Sequence, residues 1–301
     1  MTQILVPLDG SPLAEQVLPC AIALSQGLGS ELVLFGAVSL PCDTEVILDR
    51  AGVKPDALLE ELKAEADEHL REVVRQLHER GVTARRVLQC GPAAEAIVAY
   101  AEQMEVRQIV IATHGYNGPN RWTHGSVAER VVQAASVPVL LIRVKETEFG
   151  DPRQPMCCRR ILVPLDGSFR SERVLPVVVP IAKALDSELV LFQVPICYVS
   201  GWMMGEGFLP VQGVLATAEQ DAQVYLGEVA ARLQQEGVRT STVTAIGAVA
   251  DSIVRYAEEN RMDLIAMSTH GRTGLRRWAL GSVADRVLRA GRVPLLLVRA
   301  A

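Results

Sequence analysis

One segment of this chain occurs twice, and that repeat limits the possible folds more than any other feature. Residues 4–11 read Ile-Leu-Val-Pro-Leu-Asp-Gly-Ser, and the same residues return at 161–168, which is 157 positions later. Residues 30–35 return at 187–192 with the same spacing. A chain of 301 residues is long enough for two domains of ordinary size. The repeat therefore predicts two copies of one folding unit.

Later segments repeat as well, at a spacing of 156. They are Thr-His-Gly at 113–115 and 269–271, and Gly-Ser-Val-Ala at 125–128 and 281–284. We predict a first domain over residues 1–145 and a second over residues 160–301. Residues 146–159 are the predicted linker, because glycine and proline interrupt regular structure there.

Within each copy, short apolar runs alternate with segments of helical period. In the first copy the predicted strands are 4–8, 31–38, 82–88, 108–112 and 139–142. The predicted helices are one capped by Ser11 that runs to about Gly27, a long one from a cap at Asp56 to Gly81, and those at 92–103 and 126–135. This order predicts two tandem doubly wound α/β domains. Each would have a five-stranded parallel sheet of order 3-2-1-4-5 with helices on both faces.

Charge and composition exclude several classes of protein. The formal net charge is -5, which argues against a general affinity for nucleic acid or an anionic membrane. No apolar run is long enough to span a membrane. The six cysteines form no zinc-binding pattern, so we expect no metal centre and a cytoplasmic protein with its thiols reduced.

A glycine-containing loop in the second copy is the strongest functional signal. A buried strand over 264–267 leads into a loop with Gly271, Gly274 and Gly281, and a helix begins near Ser282. Glycine amides and a helix N-terminus form a natural anion site, and we interpret this one as a phosphate site. The chain has no Walker A motif, and no G-x-G-x-x-G follows a strand. In the predicted topology, Asp9 and the loop of its own copy meet at the carboxyl ends of adjacent strands.

The spacing in this loop resembles the nucleotide-binding motif of the universal stress protein family. That motif is a glycine, two residues, a glycine, nine residues, then Gly-Ser or Gly-Thr. The second copy has Ser268, Gly271 and Gly281-Ser282 at that spacing. The first copy has Ala112, Gly115 and Gly125-Ser126, so the first glycine is replaced in both. Nearly the whole chain resembles the tandem members of this family.

The resemblance implies an adenine-nucleotide site in each copy, with ATP as the ligand and Mg²⁺ entering only with the nucleotide. Asp9 and Asp166 would contact ribose or adenine, and the backbone at Ala37 and Val194 would hold adenine. The residues placed around the phosphates are Ser268, Gly271, Arg272, Gly274, Gly281 and Ser282, with Gly115, Gly125 and Ser126 in the first copy. The alternative for the two aspartates is a capping or turn role before Gly-Ser.

Three functions remain open at this point. The first is an ATP-binding stress-response or signalling protein with little or no turnover and no catalytic residue. The second is a weak ATPase or nucleotidyl transferase, for which only His270 or Asp166 is available as a base. The third is a nucleotide-free scaffold that binds a protein partner through residues 195–210. The alternatives for this stretch are a lid over the adenine and a loop packed on its own domain. His114 and His270 are interpreted as loop histidines that hydrogen-bond to the backbone.

Two further expectations concern assembly and affinity. The resemblance implies that the final strands, 139–142 and 295–298, pair across a pseudo-two-fold, and a homodimer is also possible. We expect the second copy to bind nucleotide more tightly, because its loop carries Arg272, Arg276 and Arg277. The first copy has Pro119 in the same window, which removes a donor. The sequence leaves ATP, AMP and cyclic nucleotides open as ligands.

Overall fold

A computed structural model describes residues 2–40, 54–113, 126–143, 158–195, 211–270 and 280–299. Contacts within the chain divide it into two compact units, Met1–Met156 and Cys157–Ala301. Cys158, at the end of the predicted linker, is buried, and its carbonyl oxygen accepts a hydrogen bond from the Ser187 hydroxyl. Most of the predicted linker lies outside the described residues.

The first unit alternates strands with helices as the sequence predicts. Its elements are β1 (Gln3–Pro7), α1 (Pro12–Glu15), α2 (Leu18–Leu28), β2 (Glu31–Val38), α3 (Pro55–Glu79), β3 (Ala84–Cys90), α4 (Ala93–Gln103), β4 (Gln108–Ala112), α5 (Ser126–Ala134) and β5 (Val139–Ile142). The strands are parallel, in the order β3-β2-β1-β4-β5. This is the predicted order 3-2-1-4-5.

The second unit repeats the design. Its elements are β6 (Arg160–Pro164), α6 (Phe169–Glu172), α7 (Leu175–Leu185), β7 (Glu188–Gln193), α8 (Val211–Gln235), β8 (Arg239–Thr244), α9 (Val249–Glu259), β9 (Leu264–Ser268), α10 (Ser282–Ala290) and β10 (Leu295–Val298). The strands are again parallel, in the order β8-β7-β6-β9-β10. The α/β class and the tandem arrangement are confirmed, while pairing between the final strands stays a prediction.

Helices cover both faces of the sheet in each unit. In the first, Phe35 of β2 packs on Tyr100 of α4, with ring centroids 5.3 Å apart. The next residue, Gly36, faces Leu70 of α3. Neighbouring residues of a strand point to opposite faces, so α3 and α4 lie on opposite sides. The central strands β1 and β6 are apolar and buried over residues 4–6 and 161–163.

The first predicted helix is broken in both units, which corrects the expectation of one helix from Ser11 to about Gly27. It is observed as α1 and α2, with a turn between them. Pro19 and its counterpart Pro176 explain the break, because proline lacks an amide hydrogen and its ring collides with the carbonyl four residues earlier. Ser11 caps α1 as predicted, since its hydroxyl oxygen accepts the Ala14 amide at 3.1 Å.

The start of the long helix also differs from the sequence expectation. Lys54 occupies the N-cap position of α3, Pro55 is the first helical residue, and Asp56 lies in the first turn. Proline is favoured there because its fixed φ suits the helix and its missing N–H is not needed. Asp56 still stabilises the helix, because a carboxylate in the first turn faces the positive end of the dipole.

Candidate functional site

Each unit carries the same aspartate turn after its first strand. One carboxylate oxygen of Asp9 accepts the Ser11 amide at 3.0 Å and the Ser11 hydroxyl at 2.6 Å. Asp166 accepts the Ser168 amide at 2.9 Å and the Ser168 hydroxyl at 2.6 Å. The turn role, held open as the alternative for both aspartates, is therefore observed. It fixes where each carboxylate lies, and contact with a nucleotide stays a prediction.

A cavity of about 480 Å³ adjoins this turn in the first unit. Its lining brings together Asp9 and Ala37, two residues expected in one site. The lining consists of Leu8, Asp9, Gly10, Gly36, Ala37, Val38, Ser39, Leu62, Glu65, Ala66, His69 and Leu70. The Leu8 amide donates to the Phe35 carbonyl at 2.9 Å, which holds the Asp9 turn beside the end of β2. The cavity thus lies at the carboxyl ends of β1 and β2, under α3.

The wall that α3 contributes was not predicted from the sequence. Glu65 and His69 line the cavity, and His69 Nε2 lies 3.3 Å from Glu15 Oε1 without hydrogen-bond geometry. With Asp9, the wall carries two carboxylates and one imidazole. Such a surface suits a base and a ribose better than a phosphate. The sequence does contain one signal for this wall. The repeat aligns His69 of α3 with Tyr225 of α8, so the two copies differ at this position.

The second unit holds its long helix to the turn with a stronger contact. The Tyr225 hydroxyl donates to Glu172 Oε1 at 3.0 Å, and Arg232 Nη2 lies 2.5 Å from Glu172 Oε2. Burial, together with the nearby Glu172 charge, raises the pKa of the Tyr225 phenol above its ordinary range. Tyr225 therefore remains a neutral donor, and α8 is fixed to α6 at this point.

Ser268 and the Asp166 turn are joined by hydrogen bonds through Ser171. The Ser268 hydroxyl donates to the Ser171 carbonyl at 3.2 Å, and the Asp166 amide donates to the Ser171 hydroxyl at 3.2 Å. The first unit has Ala112 and Ala14 at the positions of Ser268 and Ser171. These side-chain bonds therefore belong to the second unit. They bring Ser268 and Asp166 to one end of the sheet, as the topology predicts.

Gly281 fixes the start of α10 against the end of β9. Its amide donates to the Thr269 carbonyl at 2.9 Å, and an added Cβ would lie 2.8 Å from the same oxygen. The Gly281 amide is therefore engaged within the chain, and contact between Gly281 and a phosphate stays a prediction. Gly281 is the N-cap and makes no side-chain cap bond. The first-turn donors without helical partners are the amides of Ser282, Val283 and Ala284.

His270 makes a local contact with a side-chain hydroxyl, whereas the sequence predicts a bond to the backbone. Its Nδ1 lies 3.1 Å from the Thr269 hydroxyl oxygen, and its ring lies beside Gly281. Val194 is buried just past β7, directly after Gln193. Ser126 begins α5. The other expected site residues lie outside the described residues: Gly115, Gly125, Gly271, Arg272, Gly274 and, apart from its first residue, the stretch 195–210.

Two further searches cover only the described part of the chain. Within those residues, no cluster of three or more His, Cys, Asp or Glu side chains is placed to hold a metal ion. None of the described helices combines the length and the apolar character that crossing a membrane requires.

Known proteins resemble this chain over its whole length. Universal stress protein MJ0531 of Methanocaldococcus jannaschii is 33% identical over 145 residues, covering 47% of this chain and 82% of that protein. Universal stress protein Slr1230 of Synechocystis sp. is 23% identical over 325 residues, covering 99% of this chain and 100% of that protein. The crystal structure of a universal stress protein from Archaeoglobus fulgidus has a TM-score of 0.72 at 20% identity. It covers 99% of this chain and 98% of its own, which shows the shared fold.

The family profile described as "Universal stress protein family" matches residues 1–143 and 158–299. Each match corresponds to one copy of the repeat and contains all five strands of its unit. The chain therefore belongs to the universal stress protein family, as a member with two domains in tandem.

Proposed function

We propose that this chain is a stress-response or signalling protein that binds an adenine nucleotide, ATP in the first instance, with little or no turnover. The observation that carries the proposal is the cavity of about 480 Å³ in the first unit, which contains both Asp9 and Ala37. Its volume falls within the range of small-molecule pockets, and its place at the carboxyl ends of parallel strands is where such sheets bind ligands.

The base and the ribose would lie between the strand ends and the long helix. In the first unit the Asp9 carboxylate would accept from ribose hydroxyls, and the Ala37 backbone would face the base. Asp166 and Val194 have the corresponding positions in the second unit. The Asp9 and Asp166 turns support this assignment, because a carboxylate that is already oriented loses little entropy when it binds.

The phosphates would lie over the start of α10. The amides of Ser282, Val283 and Ala284 supply donors, and the helix dipole adds positive potential there. Gly281 contributes by close approach to Thr269. The full set proposed around the phosphates is Ser268, Gly271, Arg272, Gly274, Gly281 and Ser282, with Gly115, Gly125 and Ser126 in the first unit. A Mg²⁺ ion would arrive with the nucleotide and be held by phosphate oxygens.

Slow turnover follows from how the candidate bases are engaged. His270 contacts the Thr269 hydroxyl, and one oxygen of Asp166 is held by Ser168. To act as a general base, a side chain must place its proton-accepting atom within hydrogen-bond reach of the attacking group. A weak ATPase or nucleotidyl transferase remains the alternative if Asp166 or His270 reorients. A nucleotide-free scaffold is the second alternative.

Calorimetric titration of the full chain with ATP, AMP and cyclic AMP tests the proposal. Mass spectrometry of the denatured protein tests whether a nucleotide copurifies. We expect ATP binding, with the tighter site lost in Gly281→Val, because any Cβ there meets the Thr269 carbonyl. Gly227→Ala is the matched control, since nothing lies within 4 Å of a Cβ at Gly227.

The outcomes separate the three functions. If the chain binds no adenine nucleotide and releases none on denaturation, the nucleotide-free scaffold is the remaining function. Single-turnover formation of ADP from radiolabelled ATP that is lost in Asp166→Ala would establish the enzyme. Binding without product supports the proposal.

A further inference from the structure

The second strand of each unit carries different residues at one equivalent position beside the proposed base pocket. Gly36 of β2 and Gln193 of β7 occupy the same place in the repeat. In the parallel register Gly36 lies opposite Leu88 of β3, and Gln193 lies opposite Thr244 of β8. The pair Gly–Leu in the first unit is thus replaced by the pair Gln–Thr in the second.

In the first unit, neighbouring leucines fill the space over Gly36. A Cβ added there would lie 2.8 Å from Leu88 Cδ1 and 3.0 Å from Leu70 Cδ1. Gly36 also lines the cavity that contains Asp9 and Ala37. Gly36 has no side chain to contact a ligand. At this position the first unit can therefore recognise a base only through backbone groups.

In the second unit, Gln193 lies on the face of β7 that the long helix covers. The preceding residue, Phe192, packs on Tyr256 of α9, with ring centroids 5.1 Å apart. Successive strand residues alternate between faces, so Gln193 points to the opposite side, where α8 packs on β7. Thr244 lies beside it on the same face, and its hydroxyl donates to Glu219 Oε1 of α8 at 3.3 Å. This is the face on which the first unit has its cavity.

The Gln193 amide is buried without its full set of partners. The residue is 7% exposed, and Oε1 has no hydrogen-bond partner in the described part of the chain. A buried polar atom without a partner is costly, and native proteins keep few of them. Because Oε1 lies beside the proposed base site of the second unit, it is available to a ligand that supplies the missing hydrogen bond.

We propose that Gln193 selects the base in the second unit by pairing with the amino edge of adenine. A carboxamide offers one acceptor and a donor side by side, which matches the exocyclic amine and an adjacent ring nitrogen of adenine. Hypoxanthine carries a carbonyl at that position and cannot donate to Oε1. This inference rests on the proposed function, and it adds that the two units differ in selectivity: the second prefers 6-aminopurines and the first does not.

The test compares ATP with ITP, which differ in the group at position 6 of the purine. The full chain carrying Ala66→Trp, which fills the cavity of the first unit, is titrated with each nucleotide. The same titrations follow with Gln193→Met added, a change that keeps the volume and removes the amide. We expect ATP to bind about tenfold or more tightly than ITP, and Gln193→Met to reduce that ratio to near one by weakening ATP alone.

A graft provides the reciprocal measurement. Gly36→Gln with Leu88→Thr transfers the second unit's pair into the first, in a chain whose second site is disabled by Gly281→Val. The graft should acquire a preference for ATP over ITP, whereas Gly36→Gln alone requires the ends of both Leu88 and Leu70 to shift, because its Cβ would lie 2.8 Å and 3.0 Å from their Cδ1 atoms. If Ala66→Trp perturbs folding, the change in the ATP-to-ITP ratio caused by Gln193→Met is measured in the otherwise native chain.

Thermal unfolding without ligand gives a readout that a merely structural glutamine would not produce. Replacing the partnerless amide by Met should raise the melting temperature while selectivity falls. An unchanged ATP-to-ITP ratio in Gln193→Met overturns the inference and leaves the proposed function intact. Absence of binding by either nucleotide in the Ala66→Trp chain refutes nucleotide binding by the second unit, and the inference with it.

Discussion

The amide nitrogen of Gly281 lies 2.9 Å from the carbonyl oxygen of Thr269, and a Cβ at Gly281 would lie 2.8 Å from the same oxygen. One hydrogen bond and one steric limit therefore set the distance between the end of β9 and the start of α10. The Asp285 amide closes the first helical bond onto the Gly281 carbonyl at 2.9 Å. The helix start cannot move closer to the strand, and a side chain would push it away.

Gly281→Ala should destabilise the chain by about 1–3 kcal/mol, because the methyl group collides with backbone that has no rotamer to change. If the proposed phosphate site is correct, ATP affinity falls as well. Urea unfolding and calorimetric titration measure the two effects. Gly227→Ala should instead stabilise α8 by about 0.5–1 kcal/mol, since its position is open and helical. Equal behaviour of the two variants would contradict the steric account.

Gln108→Leu should stabilise the first unit. Gln108 is 1% exposed, and both amide atoms lack a hydrogen-bond partner in the described residues. It lies opposite Ile4 in the sheet, and the second unit has Leu264 at the equivalent position, opposite Ile161. Removing the orphaned amide should raise the free energy of unfolding by about 1–3 kcal/mol in urea titrations. The reverse change, Leu264→Gln, should lower it; a fall in Gln108→Leu would refute this explanation.

Cys158 should make stability depend on pH in the alkaline range. Burial, with a contribution from the Asp263 charge, raises the pKa of its thiol from 9.0 to about 12. The raised value means that the neutral thiol's contribution is complete below pH 9 and is lost as pH rises toward 12. Urea titrations between pH 8 and 10 should show a smaller decline for Cys158→Ala than for the native chain. Cys90→Ala is the control, because Cys90 is exposed; parallel declines in all three would exclude the effect.

Ser268→Ala should weaken the second unit by about 1 kcal/mol, because it removes the bond from the Ser268 hydroxyl to the Ser171 carbonyl. The first unit already has Ala112 at this place, so the fold tolerates the change. Hydrogen exchange should be faster at the Asp166 turn, which Ser171 supports. Unaltered exchange there would mean that the hydrogen bond from Ser268 to Ser171 does not stabilise the Asp166 turn.

The sheet could be predicted from the sequence because its determinants are local. Runs such as residues 4–8 and 109–112 are apolar, short and bounded by polar residues, and the repeat supports each assignment a second time. The strand order followed from general rules for crossovers. The break at Pro19 also has a local cause, but the apolar period continues past this proline, so the pattern predicts one uninterrupted helix.

The site was less predictable because its contacts join distant segments. The glycine spacing located the start of α10, but it did not show that the Gly281 amide bonds to Thr269. In the sequence, His69 and Tyr225 are not distinguishable from other helix residues. Only the fold shows that they lie near the aspartate turns. One usable signal was the difference between the copies. Residues 31–36 and 188–193 match except at Gly36 and Gln193, and Gly36 lines the cavity of the first unit.

The Gly–Leu and Gln–Thr pairs also restrict how the two halves drifted apart after the duplication. Converting one pair into the other in two steps requires either glutamine beside leucine or glycine beside threonine as the intermediate. Glutamine beside the leucines requires the ends of Leu88 and Leu70 to shift, because a Cβ at position 36 would lie 2.8 Å and 3.0 Å from their Cδ1 atoms. Glycine beside threonine leaves the space of the leucine side chain unfilled, so the two residues of each pair depend on one another in packing.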